Sequence, residues 1–195
     1  MSNARRRELF AAAVLAAAMW MTRSHQIDDH FGSFIDLPDT SWAVFFIAGL
    51  LGLRWWAPAA LMLNAGVIDY LALLAGVSDY CVTPAYPFLA PTYLVLWASG
   101  RWSGVDFNAP ARTFVRVALA LLLGVTGAFL VSNASFYALG GYFASTTPLQ
   151  YANAVLQYLP HFMGSTAAYT VVALVVVYVR RARAAHDARI DMRQP

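Results

Sequence analysis

The apolar residues of this chain are gathered into six long runs, and this arrangement limits the possible folds more than any other feature. Polar stretches separate the runs, and the run over residues 58–77 is twenty residues long. A helix of that length spans about 30 Å, the thickness of a bilayer core. The sequence therefore predicts an all-α membrane protein. It would be a single domain over residues 1–195, with six transmembrane helices at about 9–22, 42–54, 58–77, 84–99, 114–132 and 160–179.

The first run allows two further interpretations, a signal peptide and a face for close helix packing. It follows Arg5, Arg6 and Arg7, and a basic start before a short apolar core also fits a signal peptide. We expect it to be retained as the first span. The run contains two pairs of alanines spaced four apart, a spacing that allows close helix approach in lipid, although alanine is also simply common in spans. The pairs are Ala12 with Ala16 and Ala13 with Ala17.

The basic residues are distributed unevenly about the runs, which predicts an orientation. All thirteen are arginine, and six spans place twelve of them on one side, with Arg23 alone on the other. Because cytoplasmic loops are enriched in basic residues, we expect both termini to be cytoplasmic. The opposite, outer side would then hold Asp28, Asp29, Asp36, Asp39 and Asp79.

Several functional classes are excluded or disfavoured by what the sequence lacks. Without a lysine, the chain has neither a P-loop lysine nor a Schiff-base lysine. The arginines border apolar runs, which indicates topology signals rather than nucleic-acid binding. The single cysteine excludes an internal disulfide. No H-E-x-x-H, C-x-x-C or nucleophile-elbow motif is present, which argues against common metalloproteases and serine hydrolases.

The most unusual stretch, residues 79–91, is called the cysteine segment below. It contains Cys81 and the three prolines Pro84, Pro87 and Pro91. Proline removes a backbone donor and clashes with the preceding turn, so the following helix should begin bent or locally open. A lone cysteine is often only a small buried hydrophobe. At a polar membrane face, however, a thiolate is a candidate nucleophile or a soft ligand for a cobalt, copper, zinc or iron centre.

Other candidate site residues lie on the same predicted outer face. Asp69 precedes Val77 by eight residues, about 12 Å into the outer half of the membrane. An ionisable group at that depth suggests ligand contact, although a structural hydrogen bond across helices is the alternative. His25 and His30 are either metal ligands or solvated. Residues 132–158 form a long connection, rich in aromatic residues and without a charge, and such loops are usually functional or partly structured.

These residues resemble a known family. Six short spans, the alanine-rich first run and the lack of an ATPase motif are similar to the S-components of energy-coupling factor (ECF) vitamin transporters. The cysteine segment has the sequence DYCVTPAYPFLAP. Together with Pro38-Asp39-Thr40-Ser41-Trp42, Leu96-Trp97 and Gly100-Arg101-Trp102, it resembles the BtuM group, the solitary cobalamin S-components of Gram-negative bacteria.

The resemblance implies an S-component-like bundle in the bacterial inner membrane. It implies that cobalamin binds in an outer pocket, that Cys81 ligates its cobalt, and that the thiolate promotes loss of cyanide from cyanocobalamin. The alanine pairs would dock onto an ECF module consisting of a coupling subunit and two ATPases. Other residues implied to contact cobalamin are Asp69, Tyr80, Tyr86, Phe88, His25 and His30.

Two other functions remain open from the sequence. One is an S-component for a different vitamin, in which Cys81 is structural. The other is a membrane thiol enzyme, with Cys81 as covalent nucleophile and His30 or His161 as base.

Overall fold

A computed structural model describes residues 2–23, 38–80 and 82–191, with side chains as far as residue 186. These residues form helices and no strand, which confirms the prediction of an all-α protein. The α-helices are α1 (Asn3–Arg23), α2 (Ser41–Leu50), α3 (Trp56–Leu74), α4 (Leu89–Ser103), α5 (Pro110–Leu139), α6 (Pro148–Leu156) and α7 (Leu159–Asp191).

Three helices are long and apolar enough to cross a membrane, namely α3, α5 and the Leu159–His186 part of α7. The α2 helix is equally apolar but has only ten residues, which is about 15 Å of helix. The protein is thus consistent with an integral membrane protein. Six spans and cytoplasmic termini remain predictions.

The ends of several helices differ from the predicted boundaries. Helix α2 ends at Leu50 rather than near residue 54, and Tyr86–Phe88 form a 3₁₀ turn before α4 begins at Leu89. The turn agrees with a helix start that prolines keep irregular. Helix α7 runs on to Asp191, beyond the predicted end near residue 179.

The uncharged connection over residues 132–158 is largely helical. Helix α5 continues through it to Leu139, and α6 begins with a capping box formed by Thr147 and Gln150. The polar residues at the start of this connection do not end α5, because their side chains form hydrogen bonds to backbone carbonyls of the same helix. Asn133 donates to the carbonyl of Phe129, and Ser135 donates to that of Ser132.

Helix α2 lies at the centre of the bundle. Nine of its ten residues are buried, and it packs against α1, α3, α4, α5 and α7. Its crossing with α4 is close because both helices present a glycine. A Cβ atom on Gly49 would collide with the carbonyl oxygen of Trp97, and one on Gly100 with that of Phe46. Small residues permit such close contact between helix backbones.

The bundle has two chemically different ends. We call the end where α1 finishes and α2 begins the cysteine end, because residues 79–91 follow α3 there. The opposite end, where α1 begins and α4 finishes, carries most of the arginines and is called the arginine end. The candidate site lies at the cysteine end.

Candidate functional site

Arg23, the last residue of α1, organises the polar contacts at the cysteine end. Its Nε donates to Asp69 Oδ1 over 2.6 Å, and its Nη2 donates to Asp69 Oδ2 over 2.7 Å. This is the bidentate geometry that makes arginine–carboxylate pairs strong. The two side chains are only 14% and 21% exposed, so α1 and α3 are joined by a largely buried ion pair.

The same guanidinium also reaches α2 and α4. Its Nη1 donates to Ser41 Oγ over 2.8 Å and to the Tyr93 hydroxyl over 3.2 Å. Asp39 completes the group, since its Oδ2 lies 3.5 Å from Nη1 while its Oδ1 accepts from the backbone and the hydroxyl of Ser41. Arg23 therefore connects four helices.

Tyr86 ties the cysteine segment to this ion pair. The residue lies in the 3₁₀ turn, and its hydroxyl donates to Asp69 Oδ2 over 2.6 Å. Asp69 thus accepts one hydrogen bond from Tyr86 and two from Arg23. These bonds link the cysteine segment to α3 and α1 through Asp69.

Two neighbouring cavities lie beside the cysteine segment. The larger is about 250 Å³, and Tyr80, Ala85, Tyr86, Leu89, Ser132, Asn133, Ser135 and Phe136 line it. The smaller is about 140 Å³, and Asp69, Tyr86, Leu89 and Tyr93 are among its lining residues. Tyr86 and Leu89 line both cavities, so the side chain that binds Asp69 borders the two spaces.

Aromatic residues form one wall of the larger cavity. Tyr80 stacks on Tyr142 with ring centroids 4.5 Å apart and meets Phe136 edge-on at 5.7 Å. The Tyr142 hydroxyl also donates to the Tyr80 carbonyl over 3.2 Å. The end of α5 and the connection to α6 are therefore packed directly against the cysteine segment.

Tyr151 of α6 holds Asn133, a polar residue that lines the larger cavity. Its hydroxyl donates to Asn133 Oδ1 over 3.2 Å. Burial raises the pKa of the Tyr151 phenol above its ordinary value, with a smaller contribution from Tyr80. The phenol therefore stays protonated near neutral pH and remains a donor to Asn133.

The structure brings together three of the predicted site residues. Asp69, Tyr80 and Tyr86 line the cavities, whereas Phe88 is exposed and lines neither of them. Cys81, His25 and His30 lie outside the described residues. No three histidine, cysteine, aspartate or glutamate side chains within the described ranges are grouped so that they could hold a metal ion.

Sequence reasoning missed the role of Arg23. Its partner Asp69 is 46 residues away in the chain, so no local pattern connects them. One signal was available, because Arg23 is the single arginine on the side opposite the other twelve. A permanent cation at membrane depth requires a counter-ion, and Asp69 was the predicted intramembrane acid.

The chemistry of the cavity walls indicates what they can accept. They are mainly apolar and aromatic, with a few hydroxyl groups and one amide, and their one carboxylate, Asp69, is already paired. Such walls suit an uncharged ligand with a flat face. No protein-family model matches the chain, and a search of curated proteins finds no match either.

Proposed function

We propose that this protein binds cobalamin and takes part in its uptake across the bacterial inner membrane as an ECF-type S-component. The observation that carries the proposal is the neutral, aromatic-walled cavity directly beside the cysteine segment. Cobalamin combines a corrin face with several peripheral amides. Aromatic faces, hydroxyls and an amide are the groups expected to bind it.

The size of the larger cavity limits how much of cobalamin it can enclose. At about 250 Å³ it is slightly below the usual range of about 300–1,000 Å³ for small-molecule sites, and a corrin ring is larger. Cobalamin must therefore extend beyond the cavity, with only part of it held between Tyr80 and Ser132. The smaller cavity shares Tyr86 and Leu89 with the larger one, so it is the adjoining space.

Cys81 supplies the proposed cobalt ligand. It follows Tyr80, which lines the cavity. In the proposed step the thiolate donates an electron pair to cobalt(III), and cyanide departs with the electron pair of its own bond to cobalt. Cobalt keeps its oxidation state, so the step needs no external reductant. A soft thiolate suits such a centre.

Filling the cavity should prevent binding. Ser132→Phe places an aromatic ring in the larger cavity, and we expect the affinity for cyanocobalamin to fall at least tenfold, about 1.4 kcal/mol. The matched control is Ala134→Phe, because Ala134 is on the same helix but exposed and lines neither cavity. Titration calorimetry of the two purified variants and the wild type measures the difference.

Three results, from this titration or from an activity assay, would count against the proposal. Equal affinities for Ser132→Phe and Ala134→Phe would place the site elsewhere. Absence of cyanocobalamin binding by the wild type, with binding of another vitamin, would indicate an S-component of different specificity. Turnover of a substrate without any corrinoid, blocked by alkylation of Cys81, would indicate a thiol enzyme.

The packing of α1 limits which alanines can make the proposed contact with an ECF module. Ala12 is buried in the core and Ala16 is packed against it, whereas Ala13 and Ala17 are exposed. Only the second pair is free to meet another protein. We therefore assign the proposed docking face to Ala13 and Ala17 and not to all four alanines.

Enlarging that face should impair transport without affecting binding. We expect the double substitution Ala13→Leu and Ala17→Leu to reduce cobalamin uptake by cells about tenfold, because leucine holds two helices apart where alanine lets them touch. Cyanocobalamin affinity in detergent should stay at the wild-type value. Ala118→Leu, at an exposed position of α5, is the control. Weakened binding in detergent by the double variant would refute this assignment.

A further inference from the structure

The arginine end of the bundle carries exposed positive charge that no described carboxylate neutralises. Among the residues whose side chains are described, Arg23 alone forms ion pairs with carboxylates. Arg5, Arg6 and Arg7 at the start of α1 are exposed, and so are Arg180, Arg181 and Arg183 near the end of α7. These guanidinium groups are always charged, and none of them is paired with a carboxylate within the described residues.

Two aromatic contacts bring these arginines to one place. The guanidinium of Arg180 lies 5.9 Å from the ring centre of Phe10 on α1. That of Arg181 lies 4.0 Å from the ring centre of Phe107, which follows α4, and Phe107 also meets Tyr178 of α7 edge-on at 5.1 Å. Cation–π contacts of this kind orient an arginine while leaving its donors available. The end of α7 is therefore held between α1 and the α4–α5 connection.

Further arginines accompany each of the two rings. Arg6 and Arg7 precede Phe10 by four and three residues on α1, so they lie on its side of the helix. Arg112 and Arg116 are exposed in the first turns of α5, which begins three residues after Phe107. The described acidic side chains on these elements are Glu8 and Asp106, so positive charge clearly dominates.

The depth of this surface matches that of phospholipid phosphates. Arg180 follows Leu159 by 21 residues of continuous helix, about 32 Å, which is the thickness of a bilayer core. The intervening stretch exposes Val171, Val172, Val175 and Val176, as a lipid-facing helix would. A span that begins at Leu159 would place Arg180 and Arg181 where the hydrocarbon ends and the headgroups begin.

We infer that this arginine surface binds the anionic phospholipid headgroups of the adjacent leaflet. A guanidinium donates two parallel hydrogen bonds to a phosphate, and several converging guanidinium groups favour lipids with a net negative charge. Headgroups bound here bridge α1, the α4–α5 connection and α7. The inference does not depend on which ligand binds at the cysteine end.

The test compares lipids on the purified full chain. Delipidated wild type in neutral detergent receives phosphatidylglycerol, phosphatidylcholine or inorganic phosphate, and the thermal midpoint is measured. Phosphatidylglycerol should raise the midpoint by about 4 °C more than phosphatidylcholine, and inorganic phosphate should raise it little. The extra rise should diminish at 0.5 M salt, where charge interactions at an exposed surface are screened to about 4 Å.

The substitutions Arg180→Gln and Arg181→Gln together should remove at least half of the extra rise. The control pair Arg189→Gln and Arg193→Gln removes the same charge further along the chain and should leave the rise intact. Arg180→Lys with Arg181→Lys keeps the charge but loses the planar fork, and should give an intermediate rise.

Native mass spectrometry of the wild type, which needs no variant to fold, should show phosphatidylglycerol retained over phosphatidylcholine. Equal effects of the two lipids, or equal loss in both glutamine pairs, would overturn the inference.

Discussion

Replacing Cys81 with alanine is expected to abolish the decyanation of cyanocobalamin and the absorption bands of a cobalt–thiolate bond. The reason is that Cys81 is the only thiol in the chain, so no other residue can supply the proposed thiolate ligand. Binding of the corrinoid itself should persist within about tenfold, about 1.4 kcal/mol, because the cavity walls formed by Tyr80, Tyr86 and Ser132 remain. Absorption spectra taken during incubation with cyanocobalamin measure both effects.

Cys81→Ser is the matched control for shape. Its hydroxyl occupies nearly the same volume as the thiol but is a harder, far less acidic ligand, so it should also fail to displace cyanide. Decyanation by either variant at the wild-type rate would remove Cys81 from the cobalt. Loss of all corrinoid binding by a folded Cys81→Ser variant would show that the thiol acts in affinity rather than in ligand exchange.

Neutralising Asp69 should produce the largest loss of stability at the cysteine end. Asp69→Asn keeps the shape of the side chain but leaves the Arg23 guanidinium without the carboxylate that accepts two of its hydrogen bonds. Removing one partner of a buried pair costs about 3–5 kcal/mol. We expect about 3 kcal/mol, the low end of that range, because the Asp69 side chain is still 21% exposed. Equilibrium unfolding in detergent measures the free energy of unfolding of this variant and of the wild type.

Asp39→Asn is the matched control, because Asp39 is 42% exposed and lies 3.5 Å from the same guanidinium. Exposed pairs contribute about 0–1 kcal/mol, so this variant should be nearly as stable as the wild type. The double substitution Arg23→Met and Asp69→Leu replaces the ion pair with two uncharged side chains. It should recover part of the stability lost in Asp69→Asn. If Asp69→Asn instead keeps full stability and loses cyanocobalamin affinity, Asp69 is a ligand contact rather than a structural anchor.

The interior of the helices was predictable from the sequence because it depends on local patterns. The apolar runs predicted helices that the structure contains, and the prolines of the cysteine segment predicted the irregular turn at Tyr86–Phe88. The end of α5 was not predictable in the same way. Ser132 and Asn133 appear as loop residues in the sequence, but Asn133 bonds to Phe129 one turn earlier and the helix continues.

The site was only partly predictable because its key contacts join distant parts of the chain. Asp69 and Tyr86 were candidates as separate residues, yet the hydrogen bond between them and the bond from Arg23 are set by helix packing. The aromatic connection was expected near the outer face. Tyr142 of this connection stacks on Tyr80, which lies 62 residues earlier in the chain. Only the three-dimensional structure shows this contact.

We propose that this chain holds cobalamin with Cys81 on its cobalt, and one measurement tests this directly. The wild type is purified after growth with cyanocobalamin, and its cobalt content and absorption spectrum are compared with those of Cys81→Ala and of free cyanocobalamin. We expect nearly one cobalt per wild-type chain and a corrin spectrum shifted from that of the free vitamin, with the shift absent in Cys81→Ala. A wild-type protein that is colourless and free of cobalt would contradict the claim.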